Sequence, residues 1–183
     1  MDDLLNAAEQ KILLEIARTA IESHVCNNKV CVVPREERRL NFKHGCFVTI
    51  KQNDKLRGCI GNFQSELPLF KEVAEIAMAS ACNDPRFYPL KIQDLDSITL
   101  QISVLSPLVK ISNIDEIIIG AHGIYLERGP YRGVLLPQVA TENGWDRTTF
   151  LNQTCIKAGL PSTAWQDSNA DIYIFSAQVF GDE

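Results

Sequence analysis

An α+β fold, with a largely antiparallel sheet and flanking helices, is predicted by three features of this 183-residue chain. Its β-rich segments arrive as neighbours and hairpins. Its helical segments fall singly between them. The strict strand and helix alternation that builds a parallel sheet is missing. The composition, 45% hydrophobic and 22% charged, is that of an ordinary globular protein.

Taken in order, Leu4 to about His24 carries Leu5, Ala8, Ile12, Ile16 and Ala20 at helical spacing, with Leu13 and Ala17 widening the stripe. Pro34 to Arg39 mixes both signs of charge and reads as a solvated loop or short helix. Phe47-Val48-Thr49-Ile50 is a strand, Gln52 to Lys55 a turn, and Leu56 to Gly61 the returning strand of a hairpin. Leu69, Val73, Ile76, Ala77 and Ser80 then share a helical face, and Asn83-Asp84-Pro85 ends that helix, because a residue before proline avoids the helical region. Ser97 to Leu105 is β-rich. Ile117 to Leu136 suggests two short strands joined by a polar loop from Glu127 to Gly133, and Pro137 opens a short helix. Asp146 caps a helix from Arg147 to Ala158, with Gly159 as its left-handed stop and Pro161 beyond. Ile172 to Val179 is one final strand, apolar enough to lie inside a sheet.

Several function classes are disfavoured. A formal charge of −5 argues against a nucleic-acid groove built on bulk charge. The acidic start, Met1-Asp2-Asp3, and the lack of an 18-residue apolar run argue against a signal peptide or a membrane span, which points to the cytoplasm. The cysteines (Cys26, Cys31, Cys46, Cys59, Cys82 and Cys155) form no CxxC pair, so most read as free thiols acting as small core residues. Three isolated histidines make no metal site. Neither GxGxxG nor a P-loop motif is present.

The most informative string is Leu56-Arg57-Gly58-Cys59-Ile60-Gly61. In a regular strand Arg57 and Cys59 share one face, and a cation beside a thiol favours the nucleophilic thiolate. Gly58 and Gly61 strip bulk from the strand, as close approach of a ligand or of another backbone requires. The same pattern fits a buried cysteine in a packed strand, with Arg57 in a surface ion pair. Asp84 and Arg86 sit in a stiff segment with Pro85 and Pro89, where Asp84 can pair with Arg86, orient Arg57 or simply end a helix. His122, before Gly123, is either a base toward Cys59 or a hydrogen-bonded turn residue. Gln138 is the one amide of its segment able to address a ligand, and Trp145 anchors the following helix by burial.

Together with Asn83 to Leu90, Ser103 to Pro107, Gly120 to Ile124, Leu136 to Ala140 and Gly144-Trp145-Asp146, the Leu-Arg-Gly-Cys-Ile-Gly string resembles the AMMECR1 domain family, in the same order over nearly the whole chain. The compact, unfused form looks like its prokaryotic branch, AmmeMemoRadiSam system protein A. The resemblance implies two unequal subdomains, one of residues 1–110 plus 171–183 and one of residues 111–170, with a cleft between them toward which the signature lies. It also implies a radical SAM protein and a Memo-like protein as partners. By carry-over the site residues are Arg57, Gly58, Cys59 and Gly61, then Asp84, Arg86 and His122. Three functions follow: a thiol-dependent component handling a small molecule, a non-catalytic module docking on those partners, and, least favoured, a nucleotide or RNA binder using Arg57 and Arg86. No cofactor is indicated.

Overall fold

The computed structural model describes residues 4–27 and 33–182. Cys31 and Met1-Asp2-Asp3 lie outside the described residues. The elements run α1 (Ala7–Asn27), β1 (Cys46–Gln52), β2 (Lys55–Asn62), α2 (Leu69–Cys82), β3 (Ile98–Leu105), β4 (Val109–Lys110), β5 (Gly123–Arg128) and β6 (Tyr131–Leu135). There follow α3 (Pro137–Glu142), α4 (Arg147–Lys157), β7 (Asp171–Phe175) and β8 (Ala177–Gly181). They form an α+β fold with two antiparallel sheets, divided into compact units of residues 1–105 with 178–183 and of residues 106–177.

In the first unit the sheet order is β2-β1-β3-β8. The β1–β2 hairpin closes through Asn53 and Asp54, whose φ values of 51° and 60° make the two-residue turn that matches strand twist. Cys46, Val48 and Ile50 of β1 and Leu100, Ile102 and Val104 of β3 form the buried face, against which α1 and α2 pack. Leu69, Val73, Ile76, Ala77 and Ser80 of α2 are all buried there, as their spacing predicts. The α1 stripe centres on Leu13, Ala17, Ala20 and Ile21, with Ala8 exposed. The chain also leaves α1 later than predicted. Its start is set by Asn6 and Glu9, which exchange side-chain-to-backbone hydrogen bonds of 2.8 and 3.0 Å.

In the second unit β4-β7-β5-β6 carry α3 and α4, and the core gathers Ile124, Leu126, Phe150, Leu151 and Cys155. Asp146 caps α4 by accepting from the Thr149 N–H at 2.7 Å. Gly159, at φ 77°, ends it: the Gly159 and Leu160 N–H groups reach back to the carbonyls of Ile156 and Cys155. Trp145 packs on this core.

The predicted single strand from Ile172 to Val179 is two strands. β7 lies inside the second sheet, whereas β8 is an edge of the first, and Ser176 separates them. Ser176 accepts from the Ser106 N–H and donates its own N–H to Ser106 Oγ, both at 2.9 Å. A largely apolar run does not reveal such a change of sheet. The cysteines also differ from the expectation. All five described are free thiols, but only Cys46 and Cys155 are buried, Cys59 and Cys82 are half-buried and Cys26 is exposed. No helix among the described residues is long and apolar enough to cross a membrane.

Candidate functional site

β2 is an edge strand, and its register holds an irregularity. Gln52 pairs with Lys55 and Lys51 with Leu56, but Ile50 then pairs with Gly58, leaving Arg57 as an extra residue. Continuing the turn's register would set Thr49 against Gly58 and turn Cys59 toward the covered face. The bulge sets Thr49 against Cys59 instead, so the thiol emerges on the opposite, half-buried face. There Thr49 Oγ1 donates to Cys59 Sγ at 3.2 Å.

Gly58 lies on the covered face beneath α2. A Cβ at this position would overlap the Ser80 carbonyl oxygen. The Ser80 hydroxyl sits between the two strands, accepting from the Ile60 N–H at 2.9 Å and donating to the Val48 carbonyl at 2.8 Å. At Gly61 the room left by the missing side chain is filled by the Phe47 ring, which meets Phe63 edge-on. Both glycines therefore admit the protein's own groups. The close approach expected at these glycines is thus seen for another backbone at Gly58 and for a ring at Gly61.

The free edge of β2 at Cys59 is completed by side chains. Asp84 Oδ2 accepts from the Cys59 N–H at 2.8 Å, and Arg86 Nη2 donates to the Cys59 carbonyl at 3.0 Å. One acidic and one basic residue thus take the places of a neighbouring strand's acceptor and donor. Asp84 also accepts from Arg86 Nε at 2.9 Å and Nη2 at 2.7 Å, a bidentate pair, and from the Arg86 backbone N–H at 3.1 Å. The Asp84 side chain is 3% exposed and that of Arg86 54%, so the carboxylate stands behind the guanidinium.

The hydrogen bond from Arg86 holds the Asp84 carboxyl well below the usual carboxylate range. Burial opposes this, and the backbone bonds from Cys59 and Arg86 reinforce it. The pKa of Arg86 is raised, first by its hydrogen bond to Asp84, with burial opposing and the Cys59 side chain contributing. The guanidinium that sits at Cys59 is therefore that of Arg86. Arg57, expected beside the sulfur, donates to the Tyr88 carbonyl at 2.7 Å and lies 3.9 Å from Asp94. The bulge is the reason, since strict alternation ends at the extra residue.

Five candidates (Arg57, Gly58, Cys59, Asp84 and Arg86) thus meet at one sheet edge, with Gly61 two residues along the strand. His122 and Gln138 belong to the second unit. The His122 Nδ1 is 3.2 Å from the Ile118 N–H and 3.1 Å from the Glu116 carbonyl, the contacts of a turn residue. Gln138 stands in the first turn of α3, where its backbone carbonyl accepts from the Thr141 hydroxyl at 2.8 Å. Thr49 and Ser80 escaped the sequence reading. Ser80 was visible only as a polar residue on an apolar face, and Thr49 only through a register the bulge alters. Among the described residues no cluster of three or more His, Cys, Asp or Glu could hold a metal ion.

The sequence model of the AMMECR1 family matches residues 14–180. Protein NEQ441 of Nanoarchaeum equitans is 40% identical, over 93% of this chain and 99% of its own length. Protein MJ0810 of Methanocaldococcus jannaschii is 38% identical, over 97% and 92%. The crystal structure of PH0010 from Pyrococcus horikoshii superposes with a TM-score of 0.83 at 38% identity, covering 93% of this chain and 90% of that one.

Proposed function

Taking as premise that the chain belongs to the AMMECR1 family, we propose that it is a thiol-dependent component that handles a small molecule at Cys59, acting with a radical SAM protein and a Memo-like protein. The observation that carries this reading is a half-buried sulfur on an edge strand, met by a hydroxyl donor, in a residue whose carbonyl is held by an anchored guanidinium. Arg57, Gly58, Asp84 and Arg86 hold that strand in shape. The strand itself stays fixed while a reagent approaches, because its backbone groups at Cys59 are already bonded to side chains. The partners come from the family resemblance.

A docking module is the second reading. It is favoured by three apolar side chains exposed on β2 and the segment that follows α2: Leu56 at 44%, Tyr88 at 89% and Ile92 at 64%. The two readings separate in the host. Replacing the chromosomal copy with Cys59→Ser should reproduce the metabolite accumulation of a deletion strain. A wild-type metabolite profile in that strain overturns the thiol reading. If Tyr88→Ser alone then gives the deletion profile, docking is supported.

A further inference from the structure

Arg86 has more donors than its partners use. Its Nε–H and one Nη2 hydrogen meet Asp84, and Nη2 also serves the Cys59 carbonyl. Among the described residues Nη1 donates to no oxygen acceptor, the Cys59 thiol is the guanidinium's one further neighbour, and the side chain is 54% exposed, with the Phe87 ring 5.4 Å from its central carbon. A flexible surface arginine loses rotamer freedom when it binds a ligand. This one is already fixed, by a bidentate carboxylate behind it and an aromatic ring beside it. Two N–H groups therefore leave the protein in a set direction, next to a nucleophilic atom.

We infer that Nη1 of Arg86 binds an anionic group, carboxylate or phosphate, on the molecule that Cys59 handles. This deepens the thiol reading and rests on it. Asp84 balances the Arg86 charge, so recognition comes from directed, charge-assisted donors rather than from a field of excess positive charge. The affinity should accordingly depend only weakly on salt. The neighbouring cation does not compete for the same role, because Arg57 is occupied by Tyr88 and Asp94.

Two alkylating reagents that differ in charge test this. With either, the Cys59 sulfur forms a bond to the methylene carbon, iodide leaves, and the thiol proton passes to buffer. Iodoacetate places a carboxylate at Arg86, whereas iodoacetamide places a neutral amide. Labelling is followed by peptide mass spectrometry, and the exposed Cys26 serves as an internal reference. The ratio of iodoacetate to iodoacetamide rates should be about tenfold higher at Cys59 than at Cys26, as one hydrogen bond to a charged group allows. It should fall to the Cys26 ratio in Arg86→Gln and recover in part in Arg86→Lys.

In the wild-type protein, acetate and inorganic phosphate, each at constant ionic strength, should slow the labelling of Cys59 by iodoacetamide. The stronger protector assigns the group. This arm needs no variant, so a misfolded Arg86→Gln leaves the test intact. Equal ratios at Cys59 and Cys26, with no protection by either anion, overturn the anion proposal and leave the thiol reading standing. If Cys59 reacts with neither reagent, both fall.

Discussion

Cys46 and Cys59 lie on adjoining strands of one sheet and on opposite faces, and the two faces treat a thiol differently. Cys46 is fully buried beneath the helices. Burial first, and the nearby Glu72 second, push its thiol far above the ordinary range. Glu72 itself has neutral donors, Asn62 at 2.8 Å and Ser65 at 2.6 Å. On the other face Cys59 is half-buried, receives the Thr49 hydroxyl and lies beside a guanidinium. The difference teaches that residue type says little about a cysteine. The register that assigns its face decides whether it is filler or an accessible group.

Three substitutions would break or sharpen this contrast. The largest effect is expected from Gly58→Ala, which forces a methyl group into the Ser80 carbonyl and separates α2 from the covered face. Unfolding free energy should fall by about 3 kcal/mol, read from urea midpoints. A loss below about 1 kcal/mol would mean that the helix does not press on the strand.

Next comes Asp84→Asn, which removes the charged acceptor completing the β2 edge, at a cost of about 2 kcal/mol at neutral pH. Because the folded carboxyl is held low by the Arg86 hydrogen bond, its stabilisation is fully present above the unfolded value near ~3.9. It is lost as pH falls from there toward the folded value. The gap between wild type and Asp84→Asn should therefore narrow from pH 7 to pH 3 in thermal or urea unfolding. A gap that holds constant contradicts the role of the carboxylate.

The smallest effect belongs to Thr49→Val, which keeps the volume and deletes the donor to sulfur. Stability should change by no more than about 1 kcal/mol. The iodoacetamide rate should shift at Cys59 and stay constant at Cys46. Equal shifts at both would show that the two faces are not independent.

Local signals were read from the sequence where the physics is local. The Asn53-Asp54 turn, the buried face of α2 and both ends of α4 rest on neighbours a few residues apart. Asp84 and Arg86 were picked out as a pair for the same reason. Their capture of the Cys59 backbone, 25 and 27 residues away, was not visible, nor was the hydroxyl of Ser80 between two strands. The bulge at Arg57 exists only relative to β1, and it redirected the one inference that relied on alternation. Ser176 gave no warning either, since β7 and β8 differ in the partners they pair with.

The mutual bonds of Ser106 and Ser176 carry a last consequence. Residues 106–177 leave and rejoin the rest of the chain at two points already bound to each other. The second unit is in effect a cassette with a closed neck, entered after Leu105 and left before Gln178. A chain spliced there would retain β3 beside β8 and the Thr49, Asp84 and Arg86 partners of Cys59, so the smaller protein is a natural host for isolating the chemistry of that thiol.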